Sequence, residues 1–102
     1  MIKAKVFVED KEAGVLIEND NGEYLFNYND GYKGDIVSLT FSDKNKSYKS
    51  DILFPFFDGL IPEGWLLDKL VKNWKLDIKD RMSLLINCCS DCIGNVRIEK
   101  YE

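Results

Sequence analysis

The sequence predicts an α+β domain: a small antiparallel β-sheet or partly open barrel of about five strands, with two helices packed on it. Three observations carry that expectation. Apolar residues alternate at period two through the first half of the chain, in segments separated by Asn, Asp and Gly. From Pro62 the apolar period becomes helical. After Gly94 a short alternating segment returns.

Taken in order, Ala4, Val6 and Val8 alternate with Lys3, Lys5 and Phe7, and the polar run 10–14 is expected to break that strand. Val15-Leu16-Ile17 forms the next. Asn19-Asp20-Asn21-Gly22 supplies a turn, because Asn and Gly tolerate the positive φ of tight hairpins. Tyr24, Phe26 and Tyr28 share one face of a third strand, with Leu25 on the other, and Asn29-Asp30-Gly31 turns the chain again. A fourth strand is expected over Ile36 to Phe41, with Val37, Leu39 and Phe41 on one side, followed by a polar loop over 42–51. These strands form a meander. A helix is expected from Pro62 to Trp74, since proline suits a first helical turn and Leu67, Leu70, Val71 and Trp74 make one stripe. A second is expected from Ile78 to Cys89, with Ile78, Met82, Leu85 and Cys89 on one face. Val96, Ile98 and Tyr101 mark the last strand.

A chain of 102 residues is expected to be one domain, 1–102, burying roughly two-thirds of its unfolded surface. Its 45% hydrophobic and 31% charged residues are ordinary globular composition. The 13% aromatic share places some rings near the surface, where aromatics favour protein interfaces. Fourteen basic against 18 acidic residues give a charge of −4, which argues against direct nucleic-acid binding. Lys44, Lys46 and Lys49 form a local basic cluster, read as a solvated loop. No apolar run approaches the ~20 residues of a membrane span, and the start does not read as a signal peptide. Those features, with three clustered cysteines and no disulfide pattern, point to the cytoplasm.

The segment Phe56-Phe57-Asp58-Gly59-Leu60-Ile61-Pro62-Glu63-Gly64-Trp65 resembles the F-F-x-x-L-L-P-E-G motif of HipA-family proteins. Asp80-Arg81-Met82-Ser83-Leu84-Leu85 and Ser90-Asp91-Cys92-Ile93-Gly94-Asn95-Val96 resemble that family's helix and its D-C-x-G-A-[VL] turn. In HipA such a segment precedes a serine/threonine kinase core. Here no Gly-rich phosphate loop, catalytic loop or D-F-G-like triplet occurs, and there is no histidine for acid–base chemistry. Neither enzymatic activity nor a cofactor is expected. HipA-like systems also exist in a split form, with a small HipS protein, a shortened HipT kinase and the DNA-binding HipB. The resemblance to the small member implies an antitoxin that binds and restrains a HipT-like kinase, with a HipB-like protein as a further partner in a larger complex. An accessory subunit that activates the kinase is the alternative. A thiol-dependent enzyme using Cys89 and Cys92 is a third reading.

The candidate partner-binding residues are Trp65, Gly64, Glu63, Pro62, Asp58 and Phe57. At about 100° per residue, Trp65 falls nearly opposite the Leu67, Leu70, Val71, Trp74 stripe. It therefore either meets a partner, near the nucleotide site of a kinase by our expectation, or covers the edge of its own sheet. Burying an indole is worth about 2–3 kcal/mol, and tryptophan is enriched at interface hot spots. Glu63 suits a helix start, and Asp58 suits a cap or a salt bridge. Phe54, Phe56 and Phe57 suit the core, but adjacent residues in an extended chain point to opposite sides, so one of Phe56 and Phe57 can flank Trp65 at the surface. Cys88, Cys89 and Cys92 are too few for a structural zinc site and are expected to be buried or half-buried thiols.

Overall fold

The structure, a computed structural model, describes residues 1–61, 68–69, 72–73, 75, 80–88 and 95–101. Strands β1 (Ile2–Val8), β2 (Lys11–Glu18), β3 (Tyr24–Tyr28), β4 (Tyr48–Ser50) and β5 (Val96–Lys100) form one antiparallel sheet in the order β4-β3-β2-β1-β5. The sheet is not closed. The α+β class is thus as the periodicity predicts.

The alternation sets the faces. Ala4, Val6, Val8, Leu16, Tyr24, Phe26, Tyr28, Val96 and Ile98 are all buried. The cross-strand partners Ala4 and Leu16, Leu16 and Phe26, Val6 and Ile98 bring them together on one side. The break between β1 and β2 is shorter than the polar run 10–14 suggests. It is the two-residue turn Glu9-Asp10, both at positive φ (49° and 70°), the geometry that matches strand twist in a tight hairpin. A bulge then adds one residue to β2: Val6 faces Gly14 while Phe7 faces Glu12. Gly14 sits so close to β3 that a Cβ there would lie 2.3 Å from the Asn27 carbonyl oxygen. The 19–22 turn closes as expected, with Gly22 at φ 86° and its N–H donating to the Asn19 carbonyl (2.9 Å).

The fourth strand is not where alternation places it. Within 36–41 the chain makes a 3₁₀ turn over Leu39–Phe41, with the Ser38 hydroxyl accepting from Thr40 N–H (3.0 Å). Val37 and Phe41 are buried and Leu39 is 88% exposed, so those three do not share a side. Local capping by Ser38 competes with extension, and the Tyr28 hydroxyl ties both ends of the turn, accepting from Val37 N–H (2.9 Å) and donating to the Phe41 carbonyl (2.5 Å). The fourth strand is instead β4, inside the polar 42–51 segment. Polarity is what an exposed edge strand carries, and Tyr48 supplies its packing, 4.9 Å from Phe41 ring to ring.

Helix α1 (Pro55–Asp58) starts at a proline whose missing N–H costs nothing there. The extended chain expected around Phe56 and Phe57 is therefore a helical turn. Asp68, Lys69, Lys72 and Asn73 are helical and exposed, within the Pro62–Trp74 segment; its stripe, Leu67, Leu70, Val71 and Trp74, lies outside the described residues. Helix α2 (Arg81–Cys88) buries Met82 and Leu85, as expected, and Leu84; Ile78 and Cys89 fall outside the described residues. Tyr101 follows β5 and is 40% exposed, one position out of the Val96, Ile98 alternation. No helix among the described residues is long and apolar enough to cross a membrane.

Candidate partner-binding site

The segment that carries the HipA-like motif is built outward from the core. Phe57 is 0% exposed. Its ring lies 5.5 Å from Phe26, 5.5 Å from Phe41 and 5.3 Å from Phe56, in tilted and edge arrangements that suit the aromatic quadrupole. Phe57 thus cannot present its ring to a partner, which corrects its assignment as a partner-binding residue. One turn of helix points Phe57 inward and leaves Phe56 half-buried.

Past α1 the backbone stays in tight turns. Gly59 N–H donates to the Pro55 carbonyl (2.9 Å), Leu60 N–H to Phe57 (3.0 Å) and Ile61 N–H to Asp58 (3.2 Å). Ile61 is buried, so the chain is anchored at both Phe57 and Ile61 immediately before Pro62. Asp58 does form a salt bridge: its Oδ1 accepts from Arg81 Nε at 2.7 Å. The carboxylate remains 44% exposed. That bond ties α1 to the start of α2, which Asp80 caps, accepting from Ser83 N–H (3.2 Å) and Ser83 Oγ (2.9 Å). Sequence reasoning quoted Asp80 and Arg81 only as parts of a motif. The cap has a local signal, an Asp three residues before a Ser at a helix start; the Arg81 pairing, 23 residues away from Asp58, has none.

Pro62, Glu63, Gly64 and Trp65 lie outside the described residues, as do Cys89 and Cys92 and the environment of the Cys88 thiol. What the structure supplies is their mounting: a buried aromatic, a buried isoleucine and an inter-helix ion pair.

Comparisons with known proteins agree with this architecture. Residues 4–99 match the HipA N-terminal domain family. An uncharacterized protein of Haemophilus influenzae (strain Rd) is 36% identical over 98 residues, covering 96% of this chain and 92% of that protein. A solved structure described as the N-terminal domain of HipA toxin superposes with a TM-score of 0.79 at 33% identity, covering 100% of this chain and 94% of that one. With nearly every residue accounted for in both sequence and fold, the chain belongs to the HipA N-terminal domain family.

Proposed function

We propose that this chain is a non-catalytic, HipS-like antitoxin that binds a HipT-like serine/threonine kinase in the cytoplasm and restrains it, within a complex that includes a HipB-like DNA-binding protein. Trp65 is the anchor of the interface, with Pro62, Glu63, Gly64 and Asp58 around it. The observation that carries this reading is the exposure of Asp68, Lys69, Lys72 and Asn73. On the helical period expected from the sequence, at about 100° per residue, Trp65 shares a sector with those four positions, away from the Leu67, Leu70, Val71 and Trp74 stripe. An indole expected off the apolar stripe, next to a motif anchored by Phe57, Ile61 and the Asp58–Arg81 pair, suits recognition of a pocket on another protein.

The test is binding of the full chain to the HipT-like kinase by calorimetry. Trp65→Ala weakens the complex by about 2–4 kcal/mol, the range of an interface hot spot, with an unchanged circular dichroism spectrum. Unaltered affinity would discard the interface. Co-expression with the kinase separates restraint from activation: growth rescued by the wild-type chain and not by the variant supports an antitoxin, and deeper toxicity overturns it.

A further inference from the structure

Among the described residues, strand β4 pairs only with Tyr24, Leu25 and Phe26 of β3. Beyond that point the two segments part, and between them lies an open cleft of about 500 Å³. The end of β3 and the loop after it form one wall, and residues 44–47 form the other. That volume is in the range of small-molecule sites, about 300–1,000 Å³.

The chemistry of the cleft runs against the charge of the chain. Lys33, Lys44 and Lys46 line it against one carboxylate, Asp30, in a protein of net charge −4. Elsewhere Lys5, Lys49, Arg81 and Arg97 each have a carboxylate within 4.0 Å, whereas Lys3, Lys11 and Lys100, which line no part of this cleft, have none among the described residues. Among the described residues, no such ion pair forms at the three cleft lysines. Lys44 Nζ donates to the Gly34 carbonyl and lies 5.3 Å from the Tyr32 ring centre, and Lys46 Nζ lies 5.4 Å from that of Tyr48. Those contacts engage the Lys44 and Lys46 ammonium groups without neutralising their charge. The floor is fixed as well: Tyr32 stacks on Tyr28 (5.8 Å, 8°) and its hydroxyl donates to the Asp35 carbonyl (2.6 Å). Three ammonium groups without a carboxylate partner, around one cleft with an aromatic floor, are suited to a multiply charged oxyanion.

We propose that this cleft binds the phosphate groups of a small phosphorylated molecule, with Lys33, Lys44 and Lys46 as its cationic contacts. The cleft shares no residue with the proposed Trp65 interface, so either reading can fail alone. The test is a titration of the ¹⁵N-labelled full chain with sodium pyrophosphate and, separately, with AMP. Saturable amide shifts confined to residues 27–33 and 44–47 are expected with pyrophosphate; matching or tighter binding of AMP assigns a nucleotide, and weaker binding assigns a bare polyphosphate. The K33Q/K46Q variant, altering two exposed side chains, is expected to bind ~10-fold or more weakly, in line with loss of charge-assisted contacts. The K11Q/K100Q variant, which removes the same charge elsewhere, keeps wild-type affinity. Absence of saturable shifts, shifts spread over all surface lysines, or equal weakening in both variants would overturn the site.

Discussion

The two faces of the sheet use the same strands and opposite physics. On the inner face Phe26, Phe41 and Phe57 are fully buried and touch one another ring to ring, with Met82, Leu84 and Leu85 closing the layer from α2. On the outer face Val15, Ile17 and Leu25 are only half-buried, and long charged side chains cross between strands. Arg97 lies 4.3 Å over the Phe7 ring and pairs with Asp10 (2.7 Å) and Glu99 (2.9 Å), while Lys5 reaches Glu12 at 3.8 Å. Stability is therefore concentrated on one side. The other side is held by exposed ion pairs, each worth little in water, and by snorkelling stems that shield the half-buried apolar residues.

That contrast is breakable. Phe57→Ala opens a cavity at the centre of the aromatic layer and is expected to cost about 3–5 kcal/mol in denaturant unfolding; a loss similar to a surface substitution would show that the layer is not the core. Tyr28→Phe strips the hydroxyl that joins Val37 N–H and the Phe41 carbonyl, leaving a buried donor unmet, and is expected to cost about 1–3 kcal/mol. Tyr28, with Tyr24 and Tyr32, gives the inner face and its margin a pH dependence. Burial holds the Tyr24, Tyr28 and Tyr32 phenols above their ordinary range, and the bond from Tyr24 to Glu18 (2.6 Å) adds to it. Above about pH 10 the unfolded chain loses these protons before the folded chain does, so stability is held below that pH and falls as pH rises toward the folded-state values. Urea midpoints at about pH 8 and about pH 11 check the direction. Lys5→Gln on the outer face is expected to shift stability by no more than about 0.5 kcal/mol, and a larger loss would make the outer ion pairs structural.

Much of the fold was legible from local rules. Ala4, Val6 and Val8, and Tyr24, Phe26 and Tyr28, could be assigned to one face because a strand exposes its side chains at a fixed period of two. Gly22 at a positive φ was readable because few other residues adopt it without strain. The HipA-like motif around Phe56-Phe57 was readable as well, and the family followed from it. The fourth strand was not. Val37, Leu39 and Phe41 carry the same alternation as β3, yet Ser38 and the Tyr28 hydroxyl bend them into a turn. The polar Tyr48–Ser50 segment pairs in their place.

By itself the sequence determined the class, the inward faces of the first and third strands, the burial of Met82 and Leu85 on the second helix and the family, because each depends on residues adjacent or periodic along the chain. Only the tertiary structure decided that Phe57 is interior, that Asp58 is held by Arg81, and that three lysines line a cleft where β3 and β4 separate. Each of those depends on which distant segments meet, and hydrophobic burial chooses among such meetings by shape and volume, which no local pattern encodes.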